Sequence, residues 1–240
     1  MTTAKVTNPS QQTTRDPHER SVFHSRLRLL QLASQALPTG AFAYSNGLES
    51  LHQMGHLKDD AQCTDYLNSL MDAAVVHLEL PLFLRMRQAL LTQDFEKAAQ
   101  HSAYLLASRE TMELQEQERQ MGRALCRVLR ELHPSRCGAW DPQTFSESLA
   151  FASVLYELSD DDAALLLLYT WLEQQVSALC RLIPLGPLAG QRVIDAALTH
   201  APRAISRGIA LLDDEIGAAS PHLALASALH ETQYTRIFRS

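Results

Sequence analysis

The stretch SDDDAALLLLYTWLEQQVSALCRLIP, from Ser159 to Pro184, decides the fold class. The Ser159 hydroxyl can accept from a free backbone N–H, and the carboxylates of Asp160, Asp161 and Asp162 fall at the positive end of a helix dipole, so a helix starts here. Arg181 lies in the last turn, and Pro184 with Gly186 stops it. The apolar run between them, Ala163 to Leu172, has ten residues, well short of the ~20 needed to cross a bilayer. It reads as a buried core helix.

The whole chain shares this bias. Its 240 residues include 40 Leu and 31 Ala but only 8 Val and 6 Ile, an excess of helix formers over strand formers. Gly and Pro together make 19 residues, too few to interrupt helices often. With 46% hydrophobic and 20% charged residues there is material for one sizeable core. The reading is all-α: a single-domain bundle of about nine or ten helices over residues 21–229, preceded by a polar arm over 1–20 and followed by a distinct tail over 230–240.

Moving outward from the central helix, the periodicity predicts helices over Val22 to Ser34 and Ser45 to Met54, the second closed by Gly55. Another starts at Asp59-Asp60, and Pro81 is expected to end or kink it before helix resumes to Leu91. Further helices are expected from Asp94 to Leu106 and from Ser108 to Leu132. Glu110 to Gln120 carry charge or amide on nearly every face, which predicts exposure or a polar interface. His133 to Pro142 is a loop, and Phe145, Leu149, Ala152 and Tyr156 stripe the next helix. Val193, Ala197 and Leu198 belong to one helix, and Ile205, Ile209, Leu212 and Ile216 to another.

A formal net charge of −6, with no long Lys or Arg run beyond the first thirty residues, argues against nucleic acid. Cys63, Cys126, Cys137 and Cys180 are widely spaced and form no C-x-x-C, so neither a disulfide framework nor a zinc knuckle is expected, and a reducing cytosol fits. The N-terminus lacks the apolar stretch of a secretory signal. Gly40 and Gly47 in PTGAFAYSNGLE are no phosphate loop, because no Gly-Lys-Ser/Thr follows. No serine or cysteine has a basic neighbour that argues for nucleophilic catalysis.

Two metal readings arise. His52 and His56 stand four apart, the spacing of two imidazoles on one helix face, which is the basis for direct nickel binding, but Gly55 places His56 beyond the last turn. Asp160 to Asp162 and Asp213-Asp214-Glu215 are two acidic clusters expected on separate helices. They carry the alternative reading of a magnesium-dependent helical enzyme of isoprenoid-synthase type. Against it, DDEIG lacks an acid at its fifth position, and the first cluster is explained by helix capping.

The tail HETQYTRIFRS, His230 to Ser240, concentrates Tyr234, Arg236, Phe238 and Arg239, residue types enriched at interface anchors. It has the composition of a docked segment, on its own body or on a partner.

Four blocks together resemble a known family. They are LLQLASQALPTGAFAYSNGLES (Leu29 to Ser50), SRETMELQEQERQMGRAL (Ser108 to Leu125), LLYTWLEQQVSALCRLIPLG (Leu167 to Gly186) with GQR at Gly190 to Arg192, and SPHLALASALHETQYTRIFRS to residue 240. In order and spacing they are similar to the urease accessory protein UreF family. The resemblance implies an all-helical homodimer without catalytic activity or cofactor of its own. It would act in the cytoplasm with the scaffold UreD (UreH in some organisms) and the GTPase UreG, delivering nickel to apo-urease and regulating GTP hydrolysis. It further implies that Tyr234, Arg236, Phe238 and Arg239 dock and order on UreD, that Tyr44 and Glu49 lie near partner interfaces, and that Arg181 contributes to control of the GTPase. The family commonly has Lys at that last position, and Pro187, Ala43 and Asn46 are further departures.

Overall fold

The computed structural model describes residues 17–138, 140–217 and 220–240, with side chains from residue 21 onward. No strand occurs among the described residues. The helices are α1 (Pro17–Leu32), α2 (Leu48–Gln53), α3 (Asp60–Leu70), α4 (Leu80–Leu91), α5 (Phe95–Ala107), α6 (Met112–Leu132), α7 (Pro134–Cys137), α8 (Phe145–Leu155), α9 (Asp160–Leu182), α10 (Pro187–Ala210) and α11 (Pro221–Glu231). Residues 1–16 of the expected arm lie outside the described residues. Helix begins at Pro17, four residues earlier than the expected body, since proline is tolerated in a first turn where its missing N–H has no partner to lose.

The central helix forms as its sequence dictates. The Ser159 side chain accepts from the Asp162 N–H, and the chain stays helical to Leu182. Leu166, Leu168 and Leu172 have no exposed surface, and α9 packs against α1, α2, α3, α4, α8 and α10. Complete burial of each such leucine stabilises the fold by roughly 1.5–3 kcal/mol. Elsewhere, Asp59, Asp94, Thr111, Thr144 and Ser220 cap their helices by accepting from the N–H three residues on.

Pro81 neither ends nor breaks its helix. A π-helical segment, Met71–Glu79, joins α3 to α4, so residues 60–91 run as one helix in which the Leu80 N–H reaches back five residues to Val75. Proline cannot donate to the His77 carbonyl four residues back. That carbonyl instead accepts from the Gly217 N–H at 2.9 Å, so a stretch of irregular chain replaces the missing bond. This helix is long and apolar enough to span a bilayer by length and composition, but 67% of its apolar window is buried inside the fold.

Two other expectations change. The runs around Val193 and Ile205 are one helix, α10, with Pro202 inside it; the buried small residues Ala197, Ala201 and Ala204 hold it against its neighbours through the proline. Leu212 and Ile216 lie beyond its end, and Asp213–Glu215 is a 3-10 turn rather than part of a helix. The residues Glu110 to Gln120 form a polar interface within the chain. Gln117 and Glu118 are buried, and Arg109 bridges Glu79 (2.9 Å) and Glu118 (2.6 Å). The second Glu118 oxygen accepts from the Phe145 N–H at the start of α8.

Candidate functional site

The site is built on the turn that leads into α2. Asn46 (φ 52°) and Gly47 (φ 76°) are both left-handed and swing the chain into the helix. A Cβ on Gly47 would lie 3.1 Å from the Ala226 Cβ and 3.2 Å from the Ser227 nitrogen, so only glycine lets α2 approach α11 this closely. Two residues later the close packing carries Glu49 into the interior, where it is 2% exposed.

A carboxylate taken out of water needs donors, and the tail supplies them. One Glu49 oxygen accepts from the Ile237 N–H (2.8 Å) and the Gln233 amide (3.2 Å). The other accepts from the Phe238 N–H (2.9 Å) and from His230 Nε2 (3.2 Å). Burial pushes the Glu49 carboxyl upward, but the two backbone amides and His230 outweigh it and hold the group below its ordinary value. His230 is fully buried, and its Nδ1 faces a second carboxylate, Glu113 of α6, at 2.6 Å. Carboxylate oxygens only accept, so an imidazole protonated on both nitrogens serves this geometry. Arg236 pairs with the other Glu113 oxygen at 2.5 Å.

The rest of the tail is fixed at its far end. The Arg239 N–H donates to the Ala43 carbonyl (2.8 Å), and the Ser240 carbonyl accepts from both the N–H (2.7 Å) and the hydroxyl of Ser45. The Ser240 hydroxyl bonds the Gln117 amide oxygen at 2.9 Å. Phe238 is buried under Arg181, whose guanidinium lies 4.4 Å from the ring centroid and donates to the Phe42 carbonyl. A cation over an aromatic face ties the end of α9 to the tail.

The structure therefore gathers Glu49, Arg181, Arg236, Phe238 and the Arg239 backbone into one site. Tyr44, 6% exposed, is in the core beside them. Tyr234 is completely exposed, Ile237 is 61% exposed and Arg239 is exposed, while the partly exposed Arg236 turns its guanidinium to Glu113. The tail is ordered on its own body, with its backbone turned inward to Glu49 and a mixed aromatic and basic face outward. Sequence reasoning did not place Ser45, Glu113, Gln117, His230 or Gln233 in the site. Their roles depend on α2, α6 and α11 meeting, and no local spacing records that.

The residues of the metal readings are engaged elsewhere. Gly55 has φ 78° and closes the segment after α2; His52 Nδ1 donates to the Leu57 carbonyl at 2.8 Å, and His56 lies beyond the helix. Asp160 pairs with Arg87, Asp162 with Arg26 (3.8 Å) and Asp213 with Arg85 (2.9 Å), so arginines occupy both acidic clusters. Among the described residues no three His, Cys, Asp or Glu side chains converge as a metal site would require. The four cysteines are unpaired, and burial pushes the Cys63 thiol up to about 11, a shift reinforced by Asp59 and Asp60.

Comparison with known proteins identifies the family of the chain. The UreF family model matches residues 57–198. A urease accessory protein UreF from Chromohalobacter salexigens is 40% identical over 214 residues, covering 88% of this chain and 93% of that protein. UreF proteins from Enterobacter sp. (strain 638), 40% identical, and Klebsiella pneumoniae (strain 342), 39% identical, each align over 223 residues; they cover 90% and 92% of this chain and 99% and 100% of their own lengths. With the family model spanning more than half of the chain and these relatives nearly all of it, the chain belongs to the UreF family of urease accessory proteins.

Proposed function

We propose that the chain is a non-catalytic adaptor that works as a homodimer in the cytoplasm, with UreD (or UreH) and the GTPase UreG, in nickel insertion into apo-urease. Nickel and GTP are handled by the complex, and the chain itself carries neither. The observation that supports this reading is the tail, whose inward bonds to Glu49 leave Tyr234 and Ile237 outward as ready contacts. Tyr and Arg on a preorganised segment lose little entropy on binding, which suits an interface anchor. Arg181, which clamps Phe238, links this face to the end of α9 and gives the adaptor a route to influence the GTPase. An adaptor that binds one nucleotide state of a GTPase better than the other shifts that equilibrium by the difference in affinity.

Co-expression with the UreD partner tests the docking role. The full chain is expected to co-purify with UreD. A truncation of residues 230–240 and the surface change Tyr234→Ala/Ile237→Ala are expected to lose that partner, the second without loss of helicity. Undiminished recovery of UreD by both would overturn the reading. Full urease activity in cells lacking this chain would overturn the assignment to nickel insertion.

A further inference from the structure

α6 has a second face that the tail does not use. Its inner face, with Leu114, Met121, Leu125 and Leu129, is buried and packs on α8. Its outer face carries Arg119, Arg123, Arg127 and Arg130, spaced by four, four and three residues. At 3.6 residues per turn these four fall within roughly 80° of arc and about 16 Å of helix axis. The arginines are scattered in sequence and converge only when the chain is wound into a helix.

Arg123 and Arg127 are exposed and make no hydrogen bond or ion pair among the described residues. Arg119 reaches only Gln115 of its own helix at 3.4 Å. Arg130 donates to the Trp140 carbonyl, with Asp141 at 3.7 Å. A solvated helix face usually alternates signs, because like charges four apart destabilise a helix. Here three arginines stand in succession at that spacing, between the exposed acids Glu116 and Glu131. The protein as a whole is acidic, with a net charge of −6. A local positive stripe on such a molecule directs an anionic partner to this one face.

We propose that the α6 arginine stripe is a docking surface for an acidic helix of a partner protein. Carboxylates at positions i, i+4 and i+8 of such a helix repeat every ~6 Å, the same rise as the arginines. Two helices side by side then bring each guanidinium to a carboxylate in the bidentate geometry that arginine favours. Glu116 and Glu131 repel a longer acidic run at either end and so set the length of the contact.

The test uses the full chain and a fluorescent 20-residue helical peptide with Glu at i, i+4, i+8 and i+12. Controls are the same composition scrambled off that spacing, single-stranded RNA, and vesicles of phosphatidylserine and phosphatidylcholine. Anisotropy is expected to show binding at 50 mM salt that weakens at least tenfold at 300 mM. Arg123→Gln/Arg127→Gln, with wild-type helicity by circular dichroism, is expected to weaken it at least tenfold, as is scrambling the peptide. Absence of peptide binding, indifference to the substitutions or to the scrambling, or tighter binding of RNA or vesicles than of the acidic peptide would overturn the proposal.

Discussion

The Glu49 carboxylate and the His230 imidazole meet at 3.2 Å in the interior, 2% and 0% exposed respectively. Because the same carboxylate also receives the amides of Ile237 and Phe238, α2, α11 and the tail are joined at one residue. Glu49→Gln keeps the volume but removes the charge and turns an N–H₂ group toward two of the four donors. Loss of charge-assisted bonds in a buried place costs about 2–3 kcal/mol. A lower urea midpoint and faster hydrogen exchange at Ile237 and Phe238 are expected; unchanged exchange at both amides would refute the anchor.

The same carboxylate makes tail docking sensitive to acid. Its folded value lies below the ordinary 4.5, so the folded state holds its proton less tightly than the unfolded chain does. Stability from this group is therefore fully present above that ordinary value and is lost as pH falls through the lower folded one. Proteolysis of the tail, followed from pH 7 down to pH 3, is expected to accelerate below about pH 4.5 in the wild type. Glu49→Gln is expected to flatten that rise. An identical acid profile in the two proteins would assign the transition to other carboxylates.

The fold was largely legible because capping and periodicity are local. Ser159, Asp59 and Asp94 announce helix starts, and each caps as its neighbours in sequence require. What escaped was nonlocal. Pro81 signals a break, but the compensating bond to the His77 carbonyl comes from Gly217, far away in the chain. Glu113 and Glu118 look like surface acids on a polar helix face, yet His230 and Arg109 from other segments make them interior groups. At the site, the composition of the tail marked Tyr234, Arg236, Phe238 and Arg239 as a docked segment, on its own body or on a partner. It could not show that Glu49 is what they dock around.

Gly47 and Gly40 separate backbone strain from steric crowding. Both have positive φ, 76° and 78°, but a Cβ at Gly40 meets nothing within 4 Å, whereas at Gly47 it meets Ala226 and Ser227 backbone. Gly40→Ala is expected to cost about 1 kcal/mol for the left-handed conformation alone. Gly47→Ala is expected to cost roughly 2–3 kcal/mol, because α2 must also move away from α11. Urea denaturation of the two variants checks the difference, and equal losses would show that α2 and α11 are not tightly apposed.

Arg109 offers a sharper test of the interior. Its guanidinium bridges Glu79 and Glu118, with all three side chains 9–11% exposed. Burial alone would favour the neutral form of Arg109, but the two carboxylates reverse this and hold it firmly charged. Arg109→Met leaves two carboxylates facing each other without a cation, which is expected to cost about 3–5 kcal/mol. Adding Glu79→Gln and Glu118→Gln removes the stranded charges, while the amide oxygen introduced by the second change can still accept from the Phe145 N–H that Glu118 holds at 3.1 Å. The triple variant is therefore expected to recover most of the loss in urea denaturation, despite carrying two more substitutions than the single one. If Arg109→Met alone costs less than about 1 kcal/mol, as an exposed pair would, the triad is solvated rather than buried.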